Sequence, residues 1–125
     1  MKKIINTNNA PAAIGPYSQA VVANGTLYIS GQLPINPKVG KIESTDIEGQ
    51  TIQVFENINA ILLEAGYSFS DVVKTTVFLS DLSNFAEMNE VYKNYYQSEC
   101  PARSTFAVKG LPLNALVEIE TIAVK

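Results

Sequence analysis

The last segment of the chain, Leu116 to Val124, limits the possible folds more than any other stretch. Read as a strand, it sends Val117, Ile119, Thr121 and Ala123 to one side and Leu116, Glu118, Glu120, Ile122 and Val124 to the other. The first set suits packing under helices. The second sets three large aliphatics beside two acids, which is not the make-up of an ordinary solvated face. The rest of the sequence supplies only two helical segments, too few to cover both sides of a sheet. The second face is therefore expected to meet another subunit, with one or both glutamates at that contact. The plainer alternative is a partly exposed strand carrying scattered apolar residues, which is common.

Upstream, Asn24-Gly25 separates Ala20–Ala23 from Thr26–Ser30. Asn-Gly between two apolar runs predicts a hairpin, because a type I′ turn needs positive φ at both central residues. Lys3 to Asn6 reads as a further strand, and Gly31 to Gly40, with two prolines, reads as loop. Thr45 and Glu48 have capping-box spacing. Ile47, Val54, Phe55, Ile58, Ile61, Leu62 and Ala65 then form one helical stripe that stops at Gly66. Val72 to Leu79 is β-branched and apolar, a strand. Ser83 or Asn84 caps a second helix with the stripe Phe85, Met88, Tyr92 and Tyr95, ending before Pro101. Ser104 to Val108 and Leu116 to Val124 complete the strands. This order predicts an α+β fold: one mixed sheet with two helices on one face, a single domain over residues 1–125.

Composition removes several classes of function. The chain has no histidine and one cysteine, Cys100, so Ser-His and Cys-His nucleophiles, the usual zinc sites and an internal disulfide are excluded. Acid/base work near neutral pH falls to Glu, Asp, Lys, Tyr, Cys or the termini. A net charge of −3 offers no broad basic surface for nucleic acid. Ile4-Ile5 is too short for a signal-peptide core, and no run approaches the roughly eighteen apolar residues of a membrane span. A cytoplasmic protein without membrane contact is expected.

The residues able to carry chemistry are few. Arg103 stands where a strand begins and offers a rigid fork for a carboxylate, although taken singly it also reads as a surface or salt-bridge residue. Glu118 and Glu120 point the same way, roughly 6–7 Å apart from strand rise. Burial or mutual repulsion would raise a carboxyl pKa toward acid/base use, and two ordinary strand glutamates are the alternative. Tyr17 follows a Gly-Pro turn, and Gly31 after Ser30 would let a ligand approach the backbone. Asn89 falls between stripe positions of the second helix, where solvent exposure is the plain expectation. Cys100 reads as a small buried hydrophobe rather than a reactive thiol.

Together these segments resemble the RidA family, also called YjgF. The resemblance lies in Asn9 to Ala20, Ile29-Ser30-Gly31-Gln32-Leu33-Pro34, Val73 to Leu79 with Asp81-Leu82, and Phe85, Asn89 and Tyr92. It continues through Pro101-Ala102-Arg103-Ser104, Gly110-Leu111 and Val117-Glu118-Ile119. It implies a chorismate-mutase-like sandwich and a homotrimer with ligand clefts between subunits. The implied activity is hydrolysis of 2-imino acids such as 2-iminobutanoate and 2-iminopropanoate to 2-keto acids and ammonia, without metal or cofactor. It further implies catalytic roles for Arg103 and Glu118, and substrate contacts from Arg103, Tyr17, Ser30, Gly31, Asn89 and the backbone at Thr105. Many members carry Cys where this chain has Thr105, so no property of that thiol transfers. The alternative function is a non-catalytic regulator that binds a small carboxylate.

Overall fold

The computed structural model describes residues 1–125. Strands β1 (Lys2–Ile5), β2 (Ala20–Ala23) and β3 (Thr26–Gln32) lead through a small hairpin, β4 (Ile35–Asn36) and β5 (Lys41–Ile42), to helix α1 (Ile47–Ala65). Then follow β6 (Val72–Leu79), helix α2 (Phe85–Tyr92), β7 (Ala102–Ala107) and β8 (Val117–Val124). The main sheet has the order β1-β2-β3-β8-β6-β7. It is mixed: β6 and β7 are parallel, and every other neighbouring pair is antiparallel.

Local chemistry sets the element boundaries. Asn24 and Gly25 take φ of 52° and 79°, the positive pair that the β2–β3 turn requires. Asp46, rather than Thr45, caps α1; its side chain accepts from the Gly49 N–H at 2.7 Å. Gly66 closes α1 in the left-handed conformation, with its N–H on the carbonyls of Leu62 and Leu63. Helix α2 is shorter than its stripe suggests. After Tyr92 the chain tightens into turns, yet Tyr95 still stacks on Phe55 with ring centroids 4.2 Å apart. β3 runs two residues further than expected, past Gly31, and the expected 31–40 loop holds the β4–β5 hairpin. β7 begins two residues early, because parallel pairing with β6 starts at Ala102.

Helices α1 and α2 lie on one face of the sheet. Phe55, Ile58, Ile61 and Leu62 of α1 and Met88 of α2 pack there against Leu27, Val77, Val117 and Ile119, all fully buried. Polar side chains on α1 tie loops to this layer. Asn57 donates to the carbonyls of Leu33 and Ile35, and Gln50 accepts from the Leu116 N–H. Gln19, also buried, accepts from the Thr7 N–H and donates to the carbonyls of Thr7, Ala10 and Pro11, fixing the N-terminal loop.

The other face has no cover within the chain. Register places Ile4, Val21, Tyr28, Ile122 and Lys74 in one row across it. Ile4, Tyr28, Phe106 and Val124 remain about half exposed. Leu116, expected on this face, instead lies just before β8 and packs against the core. The apolar character of the open face thus comes from β1, β3 and β7 as well as from β8. No helix is long and apolar enough to cross a membrane.

Candidate functional site

Residues paired across a sheet share a face, so register alone assigns each candidate to a side. Ile5, Ala20, Ile29, Thr121, Thr75 and Arg103 form a row beneath the helices. Arg103 ends that row on the edge strand and meets α2. Its Nη1 donates to Asn89 Oδ1 at 2.8 Å. The guanidinium lies over the Tyr92 ring, 4.6 Å from the centroid, with the Phe85 ring at 5.5 Å. Tyr92 is held in turn by a 2.7 Å hydroxyl bond to buried Thr75. Arg103 makes no ion pair; the one salt bridge in the chain joins Lys93 and Glu90. An arginine packed against two rings and one amide, with no carboxylate partner, keeps a fork of donors free for an anion. Thr105 lies two residues along the same face, and its buried hydroxyl has no hydrogen-bond partner.

Glu118 belongs to the opposite side. It pairs with Phe78, which pairs with Phe106, and these two rings meet edge to face at 5.4 Å. On the β3 side the register slips between Ile29 and Gln32, so that Ser30 and Gly31 lie opposite the single residue Glu120. Such bulges re-aim side chains at sheet surfaces. The Glu118 carboxyl lies over Gly31, half-buried. Burial first, and the neighbouring Glu120 charge second, hold its pKa above the usual carboxylate range.

A groove of about 680 Å³ opens beside this pair, lined by Lys2, Tyr17, Ser18, Tyr28, Ser30 and Glu120 among others. Tyr17 is exposed and follows Gly15, whose φ is 123°. Ser30 holds the wall of the groove: its hydroxyl donates to the Ser18 carbonyl at 2.6 Å and its N–H to that of Gln19.

The structure therefore gathers the candidates into two groups. Arg103, Asn89 and Thr105 lie on the helix-covered side, and Tyr17, Ser30, Gly31 and Glu118 on the open side. Within one chain they do not converge. Asn89, expected to face solvent on pattern alone, is turned toward Arg103. Tyr92 and Phe85 enter the site as the aromatic seat of the guanidinium. Their sequence signal was the spacing of Phe85, Asn89 and Tyr92 along one helix; the stripe assigned Phe85 and Tyr92 to the core and left Asn89 to solvent. Cys100, expected to be buried, is exposed, its thiol 3.3 Å from the Tyr96 carbonyl. No group of three or more His, Cys, Asp or Glu side chains is placed to hold a metal ion.

Comparison with known proteins places the fold and sequence in a family. Residues 7–125 match the family model described as Endoribonuclease L-PSP. The chain is 49% identical to the Bos taurus 2-iminobutanoate/2-iminopropanoate deaminase, over 100% of its own length and 91% of the other. A crystal structure of a Rid-family protein, YyfA from Yersinia pestis, superposes with a TM-score of 0.97 at 52% identity, covering both chains fully. E. coli TdcF with bound serine superposes at 0.93, with 44% identity over 98% of each chain. With family, fold and sequence in agreement along the whole chain, the protein belongs to the RidA/YjgF family.

Proposed function

We propose that the protein hydrolyses 2-imino acids, such as 2-iminobutanoate and 2-iminopropanoate, to 2-keto acids and ammonia in clefts shared between copies of a homotrimer. One observation carries this reading. An unpaired arginine and a carboxyl with a raised pKa sit on opposite faces of one sheet, and the carboxyl's face is apolar and uncovered. A second copy docked on that face would bring its own Arg103 edge toward Glu118. Three such contacts, the number implied by the family resemblance, close a ring in which every subunit lends each half once. Serine bound in the E. coli relative supports a ligand of α-amino-acid size with a carboxylate.

In the shared cleft, Arg103 forks the substrate carboxylate while Asn89 and Tyr92 keep the guanidinium in place. The N–H groups of Gly31 and Thr105 are available to orient the substrate, and Tyr17 and Ser30 shape the approach. Glu118 takes a proton from a water that attacks the C=N carbon, giving a tetrahedral carbinolamine. Starting from the protonated imine, it returns that proton to the nitrogen; the C–N bond then breaks as the carbinolamine hydroxyl gives its proton to the Glu118 carboxylate, releasing the 2-keto acid and ammonia, which takes up that last proton. A raised pKa suits both halves of this exchange, since the same group must accept and then donate near neutral pH.

The same arrangement would also serve a protein that only binds a small carboxylate. That role needs Arg103 but gives a half-buried glutamate no task. Ribonuclease action, suggested by the family model's description, meets a net charge of −3 and a chain without histidine. The test generates 2-iminobutanoate in place from threonine and a dehydratase, with semicarbazide trapping what is not hydrolysed. The wild-type chain is expected to suppress trapping, and Arg103→Ala and Glu118→Gln to lose that effect by about a hundredfold or more while staying folded. Trapping unchanged by the wild type across several imino acids would leave the binding role in place of the enzyme.

A further inference from the structure

Gly31 has an ordinary backbone. It is absent from the positions of positive φ, so no turn or left-handed conformation requires glycine there. It lies in a strand, where glycine weakens pairing unless something needs the space. The space is used by one residue. A Cβ built on Gly31 would collide with the Glu118 carboxyl, reaching within 3.0 Å of its Cδ and closer still to Oε2; its three nearest atoms, Cγ at 3.2 Å included, all belong to Glu118. On the other side of Glu118 stands Phe78, braced by Phe106. A bulky pair on one flank and a missing side chain on the other leave the carboxyl one direction to lean.

We propose that Gly31 is a positioning residue for Glu118: its missing side chain is the seat that holds the carboxyl against the sheet and half out of water. This rests on the deaminase reading for its consequence, but not for its geometry. The bulge at Ser30-Gly31 sets both residues opposite the single residue Glu120, beside the groove that Ser30 and Glu120 line. The groups facing Glu118 on this side are Glu120 on its own strand, with Lys2, Tyr17 and Tyr28 along the groove, and Lys74 and Thr76 from β6. Of these only Glu120 acts on the Glu118 pKa alongside burial. Lifting the carboxyl off Gly31 therefore exposes it to water and brings its pKa down.

The test is Gly31→Ala. The alanine keeps the backbone N–H, and the atoms it displaces are the end of a flexible side chain, so the fold should tolerate it. The expected result is a thermal midpoint close to wild type, KM little changed and kcat lowered by about a hundredfold, the scale of a displacement of about 1 Å. Shortening the acid makes room for the methyl group. Gly31→Ala is therefore expected to harm the Glu118→Asp background much less than the wild type. Titration of the Glu118 carboxyl carbon by NMR reads the seat without turnover: its pKa should fall in Gly31→Ala. An unchanged Glu118 titration, or an equal loss of kcat in both backgrounds, would overturn the proposal. If no variant and no wild-type sample hydrolyses imino acids but the titration still shifts, the seat stands and the deaminase reading falls.

Discussion

The two faces of the sheet are built from the same strands and are finished to different degrees. Under the helices every large side chain of β8 is buried, and the polar groups that reach this layer, such as Asn57, Gln50 and Thr75, mostly have partners. On the open face Ile4, Tyr28, Phe106 and Val124 stay half exposed, and Glu118 sits beside them without a partner in the chain. One side is completed by the chain itself. The other carries a half-buried carboxyl at an apolar surface that the chain leaves uncovered. The proposed cleft between subunits would use this asymmetry, with each chain presenting one half-site on each side.

The sharpest way to break the comparison is to mix two dead variants. If the halves meet only across copies, Arg103→Ala and Glu118→Gln chains co-refolded in equal amounts should regain about a quarter of wild-type sites, each made from one intact half of each chain. Separately assayed samples of either should stay inactive. If mixing restores nothing while the mixed oligomers form, the halves do not join across subunits.

Truncating one aromatic on each face comes next in size. Phe55→Ala empties a fully buried position that touches Tyr92, Tyr95 and Tyr96, and should cost about 3–5 kcal/mol in denaturant unfolding. Phe106→Ala on the open face should leave the unfolding of dilute, dissociated chains nearly unchanged and weaken assembly instead, seen as a concentration-dependent shift in sedimentation. Equal losses of intrinsic stability from both would erase the distinction between the faces.

The smallest effect concerns charge. Burial raises the Glu118 carboxyl above the ordinary value of about 4.3, so the folded chain holds that proton more tightly than the unfolded chain does. The stability this contributes is complete below the ordinary carboxyl pKa and is lost as pH rises through the raised one. Glu118→Gln removes that loss. Its thermal midpoint should exceed the wild type's at about pH 7, and the two should converge below about pH 4. A wild type more stable than the variant at neutral pH would mean that the carboxylate has a favourable partner on the open face.

Much of the fold was legible in the sequence because its signals are local. Asn24-Gly25 must turn, Gly66 must end a helix, and Val72 to Leu79 can hardly be anything but a strand. The alternation in β8 also announced apolar residues on both faces of the sheet. Less visible was what depends on neighbours distant in sequence. The shift of the cap to Asp46 depends on which hydroxyl or carboxylate the turn brings to the Gly49 N–H. The extension of β3 past Gly31 depends on β8 being there to pair with.

The candidate site divides along the same line. The residue types were readable: an arginine fit for a carboxylate, an acid fit for proton transfer, and a glycine where something must come close. Only the tertiary structure decided that Arg103 and Glu118 stand on opposite faces, that Asn89 and Tyr92 hold the arginine, and that Gly31 lies under the Glu118 carboxyl. Those facts follow from strand register and from the docking of α2 on the sheet, and register is an agreement between segments as far apart as Thr75, Arg103 and Thr121. A local pattern can state which face a side chain takes within its own strand; it cannot state which strand lies next to it.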